Sequence, residues 1–139
     1  MTISSFNGTE HSFLSNFYTS PIVIFGKTYI TVEHAYQAMK SLNPHDSETI
    51  RLAYTPGKAK SLGKHLVCRE DWDEIKDSVM YFLLQLKFQN KELATKLKET
   101  SPHELIEGNT YGDIYWGQCP IGNGKNMLGK LLMVVRDEL

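Results

Sequence analysis

The sequence predicts an α+β fold, mainly helical, as a single domain over residues 1–139 with a small N-terminal antiparallel β-hairpin. Three observations predict it. Ile22–Ile30 is rich in β-branched and aromatic residues and is broken only by Gly26-Lys27, which reads as two short strands and a turn. From Thr31 onward, apolar residues recur at helical spacing behind capping residues. The length, 139 residues, suits one core, because a chain near this size buries roughly 68–70% of its unfolded surface.

The elements follow in order. The first thirty residues read as extended. Thr31 caps the first helix, with Val32, Ala35, Tyr36 and Met39 on one stripe, and Asn43-Pro44 ends it. A short helix is expected from Ser47 to Tyr54. Thr55-Pro56 opens another, with proline at the first helical position. Asp71-Trp72-Asp73-Glu74 is a capping-box pattern with Asp71 as the cap. It opens the longest helix, in which Trp72, Ile75, Val79, Phe82, Leu83 and Leu86 keep helical spacing. Asn90 caps a helix through Leu97. Ser101-Pro102-His103-Glu104 reads as one more capping box, followed by turns at Gly108-Asn109 and Gly112-Asp113. The last helix spans Met127 to Glu138, with Leu128, Leu131, Leu132 and Val135 facing inward.

Composition excludes several classes. Fifteen basic residues against sixteen acidic give a net charge of −1, which argues against a protein held to nucleic acid mainly by phosphate neutralisation. Met1-Thr2-Ile3-Ser4-Ser5 lacks the basic and apolar regions of a signal peptide. The longest apolar runs, Val79–Leu84 and Leu131–Val135, fall short of the roughly 20 residues that cross a bilayer. A cytoplasmic chain with two reduced thiols, Cys68 and Cys119, is expected. Neither thiol has His or carboxylate partners at zinc-site spacing, so no metal and no cofactor is expected. No Ser/His/Asp order, HExxH pattern or EF-hand loop is present.

Chemistry is sought where polar residues border the apolar pattern. Glu33, Gln37 and Lys40 fall at i, i+4 and i+7 on one stripe. They make either a solvated face with ordinary pairs or a site wall offering acid–base chemistry, a hydrogen bond and an anchor. His34 points elsewhere and reads as a packing residue. In Gly112-Asp113-Ile114-Tyr115-Trp116-Gly117, Trp116 either stacks on a planar base or plugs the core. Gly122-Asn123-Gly124-Lys125-Asn126 opens the last helix. It is either an anion site of free N–H groups plus Lys125 or a loop capped by Asn126. Lys58, Lys60 and Lys64 form a basic patch or a solvated face. Asn16 and Phe17 lie in an aromatic cluster, Phe13 to Tyr18, where a buried amide needs partners.

These segments carry a resemblance. Phe13-Leu14-Ser15-Asn16-Phe17, Ser20-Pro21-Ile22, Gly26-Lys27, Thr31–Lys40, Trp72, Lys87-Phe88, Leu105-Ile106-Glu107, Asp113–Gly117, Gly124–Gly129 and Leu132–Arg136 run in the order expected of the NADAR superfamily. Its best-known branch is the YbiA-like N-glycosidases, and the chain resembles it from about Ile3 to Leu139. The resemblance implies a mainly helical fold and hydrolysis of an N-glycosidic bond to ribose. Two substrate classes are associated with the family. One is ADP-ribose on guanine, including ADP-ribosylated DNA or RNA; the other is phosphoribosylamino-pyrimidine intermediates of riboflavin synthesis.

The resemblance implies Glu33, Lys40 and Asp113 as catalytic residues. It carries over Trp72, Trp116 and Asn126 as further site residues; together with Asn16, Phe17, Gln37, Gly124 and Lys125, singled out by the pattern above, they are expected to bind substrate. A carboxylate beside the anomeric carbon stabilises an oxocarbenium-like state or activates water. Glu33 is the first choice and Asp113 the second. Lys40 either holds a phosphate or attacks the opened sugar as an amine. Two candidate anion sites, Gly122–Asn126 and Lys58–Lys64, suit a pyrophosphate and favour ADP-ribose. A non-catalytic nucleotide-binding module is the rival reading, and turnover separates the two.

Overall fold

In the computed structural model, residues 1–8 and 10–139 are described. Their element order is β1 (Thr2–Ile3), β2 (Ile22–Ile24), β3 (Lys27–Tyr29), α1 (Val32–Ala38), α2 (Pro44–Arg51), α3 (Pro56–His65), α4 (Trp72–Lys87), α5 (Lys91–Glu99), β4 (Glu104–Leu105) and α6 (Met127–Glu138). The fold is α+β and mainly helical, as predicted. Two compact units form, one from Asn16–Lys87 and one from Met1–Ser15 with Phe88–Leu139.

In the unit Asn16–Lys87, α1 is the hub. Helices α2, α3 and α4 all pack on it, and all seven of its residues are buried. Thr31 caps it, its hydroxyl accepting the His34 N–H at 3.1 Å. His34 is a structural tie. Its Nε2 faces the Ala53 carbonyl at 3.0 Å, an acceptor only, so that nitrogen carries the proton. Its Nδ1 then accepts from the Thr31 hydroxyl at 2.8 Å. Strands β2 and β3 pair antiparallel with Ile22 opposite Tyr29 and Ile24 opposite Lys27. Ile22 and Ile24 are buried and Val23 is exposed, the period of a half-buried strand. Phe25 and Gly26 both have positive φ, 49° and 77°, which fits the two-residue turn that joins twisted strands.

Two sequence expectations in this unit need correction. Asn43-Pro44 does not end α1; it starts α2, which spans Pro44–Arg51 rather than Ser47 to Tyr54. The Asn43 side-chain oxygen Oδ1 accepts the His45 N–H at 2.9 Å and the Asp46 N–H at 3.4 Å, so it is a cap with proline behind it. Asp71 stands directly before α4, its backbone carbonyl accepting the Glu74 and Ile75 N–H groups at 3.0 and 3.1 Å, and Arg69 grips its carboxylate, with Nε at 2.6 Å and a terminal nitrogen at 3.0 Å. That guanidinium holds the Asp71 carboxyl below its ordinary range.

In the other unit, β1 and β4 form a parallel pair, Thr2 opposite Glu104 and Ile3 opposite Leu105. This pair was not expected, nor was the short 3-10 turn at Ser12–Leu14. The Ser101–Glu104 capping box opens no helix. The Glu104 N–H donates to Met1 O at 3.1 Å and the Ile106 N–H to Ile3 O at 2.9 Å; strand pairing takes the donors that a helix would have used. Asn90 caps α5 as predicted, accepting from Glu92 and Leu93 N–H. In α6, Leu128, Leu132 and Val135 are buried. Arg136 ties α6 to the end of α5, donating to Thr100 Oγ1 at 3.0 Å and His103 O at 2.8 Å. No helix among the described residues is long and apolar enough to cross a membrane.

Candidate active site

The Glu33 stripe is not a solvated face. Glu33 is 7% exposed and Gln37 4%, and α2, α3 and α4 pack on the helix that carries them. Gln37 Nε2 donates to Glu33 Oε2 at 2.7 Å, a charge-assisted bond between neighbours one turn apart. Glu33 sits in the first turn of α1, where the helix dipole favours an anion. Its own N–H donates to Asn16 O at 3.1 Å, which places Asn16 against the start of α1. The Asn16 side chain is buried there. Its Nδ2 has only the Met80 sulfur, at 3.6 Å, and its Oδ1 has no hydrogen-bond partner. Such an atom is a ready acceptor for a ligand hydroxyl or N–H. Phe17 is partly exposed, at 42%.

Lys40, at the end of the stripe, is half-buried. Burial lowers its ammonium pKa from the ordinary value of 10.5, with Lys60 and Lys64 pushing the same way and Cys68 and Glu33 opposing. Lys40 therefore feels both the Glu33 carboxylate and two amines one turn apart on α3. Its Nζ lies 5.6 Å from the centre of the Tyr36 ring. Of the basic patch, Lys60 and Lys64 belong to this cluster. Lys58 is exposed. Trp72 is not open for stacking. It is 7% exposed, and its ring packs on Tyr36 at 5.1 Å and 56°.

The remaining predicted residues lie in the other unit. Asp113 Oδ1 accepts the Tyr115 N–H at 3.2 Å and the Trp116 N–H at 3.0 Å. Asn109 grips the Asp113 backbone from both sides, at 3.1 and 2.9 Å. Asp113 is thus a turn-forming residue that aims Tyr115 and Trp116, not a second carboxylate with both oxygens open. Trp116 is half-buried and edge-on to Tyr115, with ring centres 4.9 Å apart.

The anion site expected at the start of α6 is filled by the chain itself. The N–H groups of Lys125, Asn126, Met127 and Leu128 donate to the carbonyls of Ile114, Gly117, Tyr115 and Trp116 at 2.8–3.2 Å. These are the donors a phosphate would have needed. Asn126 is not a side-chain cap. Its Oδ1 accepts the Glu107 N–H at 2.9 Å and its Nδ2 donates to Leu105 O at 2.9 Å. Both amide atoms engage the segment after β4, so Asn126 positions backbone. Gly124, at φ 138°, lies so close to Gly117 O that no side chain fits. Lys125 stays exposed, with its ammonium 5.4 Å from the centre of the Tyr115 ring.

Sequence reasoning missed Lys87 as an individual residue. It is 1% exposed, and burial pushes its pKa down to about 7. The Tyr18 ring lies 5.7 Å from its Nζ. A signal existed: Lys87 falls at i+7 from Met80 and i+4 from Leu83, in register with the buried face of α4. Gly63 was missed too; it has no turn to make inside α3.

The fold and its curated relatives define an N-glycosyl hydrolase. The chain belongs to the NADAR domain family, whose model matches residues 5–139. It is 40% identical over 143 residues to N-glycosidase YbiA of Escherichia coli, covering 99% of this chain and 89% of that protein. It is 38% identical over 133 residues to a riboflavin biosynthesis protein of Vibrio vulnificus, covering 94% of this chain and 36% of that one. The NMR structure of E. coli YbiA superposes with a TM-score of 0.88 at 38% identity, over 99% of this chain and 84% of that one.

Proposed function

We propose that the enzyme hydrolyses the N-glycosidic bond of a base carried on ribose 5-phosphate, with a phosphoribosylamino-pyrimidine as the substrate class. One observation carries this choice: the chain keeps one cluster of amines, Lys40, Lys60 and Lys64, while its second candidate anion site is closed by its own carbonyls. One cluster suits one phosphate. The two-site argument for a pyrophosphate loses its second half. The Vibrio relative, named for riboflavin biosynthesis, supports the same choice.

In this reading Lys60 and Lys64 hold the phosphate. Lys40, with its lowered pKa, is the amine that attacks C1 of the opened sugar. The C1–N bond to the base breaks, and the base leaves as an amine carrying a proton. Water then adds to C1 of the Lys40 imine, releasing ribose 5-phosphate and restoring the amine. Glu33 moves the protons in both steps and stabilises the positive charge that develops at the sugar. Asn16 Oδ1 accepts from a sugar hydroxyl. Phe17 supplies aromatic surface for the base.

ADP-ribosyl-guanine is the second reading. It is supported by exposed Lys125 beside the Tyr115 ring, a cation and an aromatic face within one unit that suit a nucleotide. The test offers purified enzyme each substrate separately. Ribose 5-phosphate released from the phosphoribosylamino-pyrimidine alone supports the proposal. ADP-ribose released from guanine-modified oligonucleotide alone overturns it in favour of the second reading. Binding of either without turnover makes the chain a binding module.

A further inference from the structure

The Gln37 amide has one defined orientation. Turned round, its oxygen would face the Glu33 carboxylate, so Nε2 is the atom that faces it, at 2.7 Å. Its Oε1 is then buried with no hydrogen-bond partner. An apolar residue would avoid that cost within a helix buried all round. What Oε1 does meet is the backbone of Gly63. A Cβ at residue 63 would overlap Oε1 and stand 2.8 Å from the Gln37 side-chain carbonyl carbon. Glycine is a poor choice inside a helix, and here it is the residue that leaves room for this amide.

We propose that Gln37 is a positioning residue. Backed by Gly63 of α3, its amide N–H holds the Glu33 carboxylate in the orientation that the reaction needs. This rests on Glu33 being the catalytic carboxylate. The bare backbone of α3 fixes the amide, and the amide fixes the acid. A side chain at residue 63 meets the far end of Gln37 rather than backbone, so it displaces the amide instead of unfolding the helix.

The test uses Gln37→Met, which fills the space without a donor, and Gly63→Ala, which pushes the donor aside. Four quantities are read: the titration of the Glu33 carboxyl by carbon-13 NMR, kcat and KM on the phosphoribosyl substrate, and the melting temperature. Loss of a donor to the ionised form raises the pKa of Glu33. Both variants should therefore titrate Glu33 at higher pH. They should also lose kcat, by about 10²-fold for Gln37→Met, with KM little changed. Unchanged Glu33 titration and kcat in folded variants would overturn the proposal. If Gln37→Met does not fold, Gly63→Ala decides alone. If wild type cleaves neither substrate, the functional reading has failed, and the Glu33 titration still decides the positioning role.

Discussion

Gln37 donates to Glu33 at 2.7 Å within a helix that has no exposed residue. An ion-bearing carboxylate at such a place is expensive unless it is hydrogen-bonded. The fold supplies that bond from one turn away and an electropositive helix start from below. Glu33 is therefore held by the protein rather than by solvent, and its orientation is a property of α1 and of what packs on it.

Asn126 gives a stability prediction. Its φ is 51°, which glycine tolerates and alanine does not. Its amide satisfies Glu107 N–H and Leu105 O. Asn126→Ala should cost about 2–4 kcal/mol, combining two orphaned backbone groups with a strained φ. Asn126→Gly should cost less. Urea unfolding of the three proteins checks the order; equal midpoints would contradict it.

The lysine cluster gives a pH prediction. Burial and the charges of Lys60 and Lys64 lower the Lys40 pKa below 10.5, so the neutral amine forms at lower pH than on an ordinary lysine. Removing those charges raises it again. In Lys60→Met/Lys64→Met, the rising limb of kcat/KM against pH should move upward. KM should rise about tenfold or more as a phosphate contact is lost. A limb that stays in place would show that Lys60 and Lys64 do not act on Lys40.

Lys40 as an attacking amine leaves a trace. Borohydride added during turnover should reduce the imine and fix the sugar phosphate to Lys40, detected by mass on the peptide that contains it. Lys40→Arg keeps the charge and should show no adduct. Trapping on any other residue, or none with full turnover, would leave Lys40 as an anchor only.

Lys87 predicts how stability depends on pH. Its folded pKa is about 7 against the ordinary lysine value of 10.5. Between these values the unfolded chain binds the proton more tightly, so this residue makes stability rise with pH from about 7 to 10.5. Below pH 7 its cost is constant and largest. Lys87→Met should remove that slope and raise the melting temperature most at pH 7 and below. The same slope in wild type and variant would contradict the assignment.

Much of this was legible in the sequence. Thr31, Thr55 and Asn90 announced helix starts through cap chemistry that acts within four residues. The hairpin was visible in its apolar run. The Ser101–Glu104 segment carried the same local signals and did otherwise, because strand β1 offered a partner that spacing does not reveal. Glu33, Gln37 and Lys40 were recognisable as one stripe, but nothing in the spacing says that α2, α3 and α4 bury it. The start of α6 looked like an anion site because its N–H groups seemed unspent. The carbonyls of residues 114–117 that take them come from a turn set by Asp113, a relationship only the folded backbone discloses. Lys87 was hidden by its type, since a lysine is read as surface even in an apolar register.

The most direct measurement of the central claim is single-turnover cleavage of the phosphoribosylamino-pyrimidine by wild type and by Glu33→Gln, with melting curves for both. Glutamine keeps the size and still accepts from Gln37, so the fold should hold. Ribose 5-phosphate release should fall by roughly 10²–10⁴-fold at unchanged melting temperature. Release at the wild-type rate by a folded Glu33→Gln enzyme would contradict the account, and the chemistry would have to be sought away from α1.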